Sequence, residues 1–274
     1  MLTETHSDFL VDQLRAAPYT HRVLHELLAQ GLQAITETDI PHLKRKLCLP
    51  SASATAMNLF LHQRLIGDEG EERLRVGDIF KLLLPHHGKY ISSELPKGWL
   101  VITPQGDMYH HAVIAFSQAL NIPAYSVADF SSLEQFRTVI DNDGQAVISL
   151  DNKFVLDHTL ARYNHDGLVF ASGRHVVTIL NFSGPQITLS DPFNLPHTKI
   201  HGLIVTLNIS DANKYLTYSD NSPTRGIVFG TKPEDINISP THIPSNVSTA
   251  LVSQLHDLTP LNISASLREL PIPA

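Results

Sequence analysis

Residues 173–192 run Gly-Arg-His-Val-Val-Thr-Ile-Leu-Asn-Phe-Ser-Gly-Pro-Gln-Ile-Thr-Leu-Ser-Asp-Pro. Two runs rich in β-branched residues, His175 to Asn181 and Gln186 to Ser190, flank Phe182-Ser183-Gly184-Pro185. The glycine suits a short hairpin loop, so the stretch reads as two adjacent antiparallel strands. With a three-residue loop centred on Ser183, His175 falls directly opposite Asp191. Opposed residues on one face have Cβ atoms about 5 Å apart, within reach for an imidazole to hydrogen-bond a carboxylate.

Further short runs of the same character, Ala146 to Leu150, Leu168 to Ala171 and Ile200 to Leu207, are each bounded by turn-forming residues. Upstream the pattern is helical. Leu10, Leu14, Val23, Leu24, Leu27 and Leu28 recur at three-to-four spacing, broken at Pro18, and predict two amphipathic helices with Gly31 closing the second. Helices are also predicted from Cys48 to Leu65, with Pro50 in its first turn and Gly67 beyond its end, from His110 to Leu120, and from Ser131 to Ile140. A helical half followed by an antiparallel sheet is an α+β order, not the alternating pattern of a nucleotide-binding fold. The expected organisation is a helical arm over residues 1–35, a main domain over 36–210, and an irregular extension over 211–274 that packs on the core.

Composition narrows the function classes. The 274 residues are 42% hydrophobic and 17% charged, which is globular, and the net charge of −7 opposes a nucleic-acid partner. Lys44-Arg45-Lys46 is the one dense basic patch. No stretch approaches the roughly 20 apolar residues of a membrane span, and the residues from Met1 to Leu14, with Glu4, Asp8 and Asp12, lack a cationic start followed by an apolar run. A cytoplasmic protein is the expectation.

The chain has one cysteine and therefore no internal disulfide. Cys48 falls at or just before a predicted helix N-terminus, where unpaired N–H groups and the helix dipole favour an anion, and the thiolate is the form that attacks a carbonyl. Such a nucleophile needs a base within hydrogen-bond reach and a third group to orient that base. Among sixteen histidines, hairpin register selects His175, with Asp191 as its partner.

The order Cys48, His175, Asp191, with Gly173-Arg174-His175-Val176-Val177 and Leu189-Ser190-Asp191-Pro192 around the last two, resembles the bacteriocin-processing, double-glycine-leader cysteine peptidases of the papain-like superfamily. That wider group includes phytochelatin synthase-like and acyl-transferring proteins. The resemblance runs from about Pro41 to Leu207 and includes the sixteen-residue step from His175 to Asp191. It implies a papain-like fold in which the helical half carries the nucleophile and the sheet carries the histidine and aspartate. It also implies a cysteine hydrolase that cleaves a peptide or amide bond through an acyl-enzyme thioester, without a cofactor, on a peptide or protein substrate. The sequence departs from the pattern at two positions: Leu49 stands where such families place glycine, and His42 stands where they place the oxyanion glutamine. An imidazole can donate a hydrogen bond, so His42 is the candidate for that role.

Three other readings compete: a papain-like module that binds a peptide without cutting it, an acyltransferase using the same thioester, and a metal site. The last would draw on His21 and His25, His86-His87 and His110-His111, but zinc needs three or four converging ligands. No metal is expected.

Overall fold

The computed structural model describes residues 10–11, 13–33, 35–43, 46–64, 74–160, 173–193, 203–218 and 221–255. In chain order the elements are α1 (Gln13–Ala29), α2 (Ile40–Leu43), α3 (Cys48–Arg64), α4 (Val76–Leu83), α5 (His110–Ala119), β1 (Ala124–Ala128), α6 (Arg137–Asp141), β2 (Gln145–Asp151), β3 (Arg174–Ser183), β4 (Gln186–Asp191), β5 (Leu203–Asn208), α7 (Ile209–Ala212), β6 (Arg225–Phe229), β7 (Asn237–Ile238) and α8 (Ser245–Leu255). The strands form one seven-stranded sheet in the order β5-β4-β3-β2-β6-β1-β7, and every neighbouring pair is antiparallel. The fold class is α+β.

α3 is buried on every side from Leu49 to Leu61, as expected of a helix without a polar face. Its first turns carry Ser51-Ala52-Ser53-Ala54-Thr55-Ala56, side chains small enough for the helix backbone to approach the sheet. The Thr178 hydroxyl of β3 donates to the Ala52 carbonyl at 2.9 Å, locking α3 across β2 and β3. Further along, Asn58 bonds both the N–H and the carbonyl of Leu74 and so ties the start of α4 to α3. One apolar cluster fills the space between this sheet face and α1, α3, α4, α5 and α8. The opposite face is covered by Phe130, Phe136, Val139, Phe154 and Leu216. β3 is thus buried on both sides, which is why its sequence reads as a continuous apolar run rather than an alternating one.

Pro18 does not divide the first helix; α1 runs through it. The proline lies on the exposed side, while Ala17, Thr20, Val23, Leu24 and Leu27 keep the buried stripe continuous, so the ring costs a hydrogen bond without breaking the packing. Gly31 ends the helix at φ +88°, with the Gly31 N–H on Leu28 and the Leu32 N–H on Leu27, a Schellman closure. Residues 225–229, expected in an irregular extension, form β6 between β2 and β1. Gly226 makes this possible, because a Cβ there would stand 2.6 Å from the Val147 carbonyl. The predicted strand from Leu168 to Ala171 and the stop at Gly67 lie outside the described residues.

The hairpin also differs from expectation. Ser183 pairs with Gln186, leaving a two-residue turn at Gly184-Pro185, with Gly184 at φ +54° as a type II′ turn requires. That turn alone would set Asp191 opposite Thr178, on the other face from His175. The register shifts by one between Ile179 and Asn181, so Thr178 pairs with Ser190 and Asp191 falls level with Val177. His175, two residues from Val177, then shares its side with Asp191 as a diagonal neighbour rather than a direct opposite. Deleting Leu180, the extra residue of β3, should close the ladder while Thr178 stays opposite Ser190, so Asp191 remains level with Val177 and keeps its bond to His175. Unchanged ring-nitrogen chemical shifts of His175 would show it.

Candidate functional site

Leu47 and the first turn of α3 set the position of Cys48. The Ser51 N–H closes the first helical bond on the Leu47 carbonyl at 2.9 Å, and Cys48 is the first helical residue. Pro50 has no N–H, so the unpaired donors of this turn come from Cys48 and Leu49. Leu49 points into the core at 6% exposure, whereas Cys48 is half-buried.

His175 is 5% exposed and Asp191 fully buried. The His175 Nε2 donates to Asp191 Oδ1 at 2.5 Å. The same oxygen accepts the Phe193 N–H at 2.7 Å, so the carboxylate also starts the turn at Asp191-Pro192. These two roles, orienting a ring and starting a turn, are compatible because one oxygen serves both. With Nε2 committed to Asp191, the other ring nitrogen is left for Cys48, whose thiol lies within hydrogen-bonding reach of the ring.

Burial opposes a charge on His175, but the Asp191 carboxylate beside it and the hydrogen bond and charge of Cys48 outweigh that and raise its pKa from 6.5 to about 10. At neutral pH the ring is an imidazolium, bonded to Asp191 on one side and beside Cys48 on the other. The structure therefore brings Cys48, His175 and Asp191 together. His42 belongs to α2, and its side chain lies outside the described residues.

Four other described histidines are engaged elsewhere. His25 pairs with Glu37, His86 bonds Tyr90 and Gln254, the His87 Nδ1 accepts the Val101 N–H, and the His111 Nε2 donates to the Leu100 carbonyl. Among the described residues no three His, Cys, Asp or Glu side chains converge as a metal site. No helix among them is long and apolar enough to cross a membrane.

Several residues at the same end of the sheet escape sequence reading. The Arg174 guanidinium lies 4.3 Å over the Tyr218 ring, and the Tyr218 hydroxyl donates to the Ser149 carbonyl at 2.6 Å. Arg225 opens β6. Arg174 directly precedes His175, but only the sheet order reveals that Arg225 comes to the same rim.

No family model and no curated protein sequence matches this chain. Among solved structures it is similar to one described as the crystal structure of a "putative C39-like peptidase" from Bacillus anthracis. That likeness has 10% identity and a TM-score of 0.37, and covers 69% of this chain and 90% of the other.

Proposed function

We propose that the chain is a cysteine hydrolase that cleaves a peptide or amide bond, with Cys48 as nucleophile, His175 as proton carrier and Asp191 as the group that orients the ring. The observation that carries this reading is the His175 imidazole, bonded to Asp191 through Nε2 and within reach of the Cys48 thiol. A thiolate facing an imidazolium is primed to attack without a further base.

The Cys48 sulfur adds to the substrate carbonyl, and the oxyanion forms against the Cys48 N–H, with His42 the proposed second donor. The His175 imidazolium then gives its proton to the leaving amine, and the C–N bond breaks to leave a thioester on Cys48. Neutral His175 next takes a proton from water, whose oxygen attacks the thioester. The acid product departs, and thiolate and imidazolium are restored. Asp191 keeps its carboxylate throughout and holds the ring in one tautomer.

Iodoacetamide at mildly acidic pH should alkylate Cys48 roughly tenfold faster or more than free cysteine, since only a thiolate reacts; equal rates would overturn the reading. Cys48→Ala should abolish turnover while leaving the thermal unfolding midpoint nearly unchanged.

Asp191→Asn should lower turnover by on the order of a hundredfold or more while retaining the turn acceptor for Phe193. The same substitution changes the pH dependence of folding. The folded pKa of His175 is raised, so its stabilising contribution is complete below 6.5 and is lost as pH rises through about 10. Urea midpoints between pH 7 and 10 should therefore fall more steeply in the wild type than in Asp191→Asn.

A further inference from the structure

A hairpin stands against the segment that delivers Cys48 to its helix. Leu43 ends α2 and Cys48 starts α3, so residues 44–47 alone join the two helices. Leu43 and Leu47 are buried and anchor this link in the core, while Lys46 is exposed. Against it stands the turn from Thr103 to Asp107. Its stems pair Ile102 with Met108, and both side chains are fixed in the same apolar cluster as Leu43 and Leu47. The Tyr109 N–H donates to the Val101 carbonyl at 3.0 Å, and the far stem leads straight into α5.

The turn holds its own shape. The Thr103 N–H donates to the Asp107 carbonyl at 2.7 Å and the Gly106 N–H to the Thr103 carbonyl at 2.9 Å, while the Gln105 and Asp107 N–H groups donate to the Thr103 hydroxyl at 3.2 and 3.1 Å. Gly106, at φ +85°, comes so near the link that a Cβ there would stand 3.3 Å from Leu43 Cδ2 and 4.0 Å from Lys46 Cγ. Beside it the Lys46 Nζ reaches Asp107 Oδ1 at 3.1 Å. A self-bonded turn thus touches the link near both ends, by packing at Leu43 and by charge at Lys46. The ion pair is half-exposed, so its contribution is small and sensitive to salt.

We propose that Asp107, Gly106 and Lys46 are positioning residues for the reaction: the turn clamps the link so that the Cys48 N–H stays aimed at the developing oxyanion. The inference rests on the hydrolase reading and goes beyond it, to residues that touch neither the substrate nor the reacting atoms. Oxyanion donors act through their placement, and losing one costs about a hundredfold or more in rate. A small displacement of so short a link is therefore legible in the rate. The link also joins α2, the helix that contains His42, to the nucleophile, so the clamp sets how those two elements stand to each other.

The test compares two reactions of Cys48 in the full chain. With p-nitrophenyl acetate the thiolate adds to the carbonyl, an oxyanion forms, and p-nitrophenolate leaves as the C–O bond breaks, giving an acetyl thioester. Iodoacetamide alkylates the same thiolate and expels iodide, with no oxyanion. The ratio of acylation to alkylation rates therefore reports donor alignment, because the thiolate fraction cancels. Lys46→Met and Asp107→Asn should each lower the ratio roughly threefold, the double variant no further, and Lys46→Arg should keep it. Gly106→Ala, strained at that φ, should lower it too. Raising the ionic strength to about 1 M, where screening acts over about 3 Å, should lower the ratio more in the wild type than in Asp107→Asn. Ratios equal to the wild type in every variant, or both rates falling together, overturn the clamp and leave the hydrolase. A wild-type Cys48 no more reactive than free cysteine toward either reagent overturns both.

Discussion

Two charged groups out of water dominate the energetics of this molecule. His175 and Asp191 are almost wholly enclosed, and removing either ion from solvent costs several kcal/mol that their attraction offsets only in good geometry. Breaking such a pair by deleting one partner typically costs about 3–5 kcal/mol, because the survivor remains buried and uncompensated. The fold around them supplies that geometry. The bulge after Ile179 turns the carboxylate to the right side, the Phe193 N–H holds the same oxygen, and Thr178 fixes α3 so that Cys48 meets the ring.

The carboxylate has two jobs that differ in what they demand. As a turn starter it needs only an acceptor, which asparagine also provides; as partner to an imidazolium it needs a negative charge. The turn and the ion pair therefore meet at one atom, and an uncharged substitute that keeps the turn discriminates between them.

Local signals made much of this legible. Pro50 and the small residues after it announced α3, and the glycine at 184 announced the hairpin that carries His175 and Asp191. The register came out differently because two deviations, a shorter turn and a bulge, leave no distinct mark in sequence, and together they restored the shared face. Pro18 misled because a proline tolerated on the solvent side looks the same in sequence as one that ends a helix. β6 was missed for another reason. Five residues among serine, proline and asparagine carry little periodicity, and only pairing with strands roughly eighty to one hundred positions away makes them the middle of a sheet. The position of Arg225 depends on that same pairing.

The placement of β6 also bears on how the protein is made. β1 and β2 have no direct ladder with each other; each pairs with β6, so a chain emerging from the ribosome holds both strands with an unfilled gap until residue 229 is out. Pairing over such separations is slow to form, and unpaired edges attract other chains in the meantime. The Arg225 end of that gap lies one strand over from the end of β3 that carries His175. That end of the sheet is therefore completed late in synthesis, after the nascent thiol of Cys48 has already appeared.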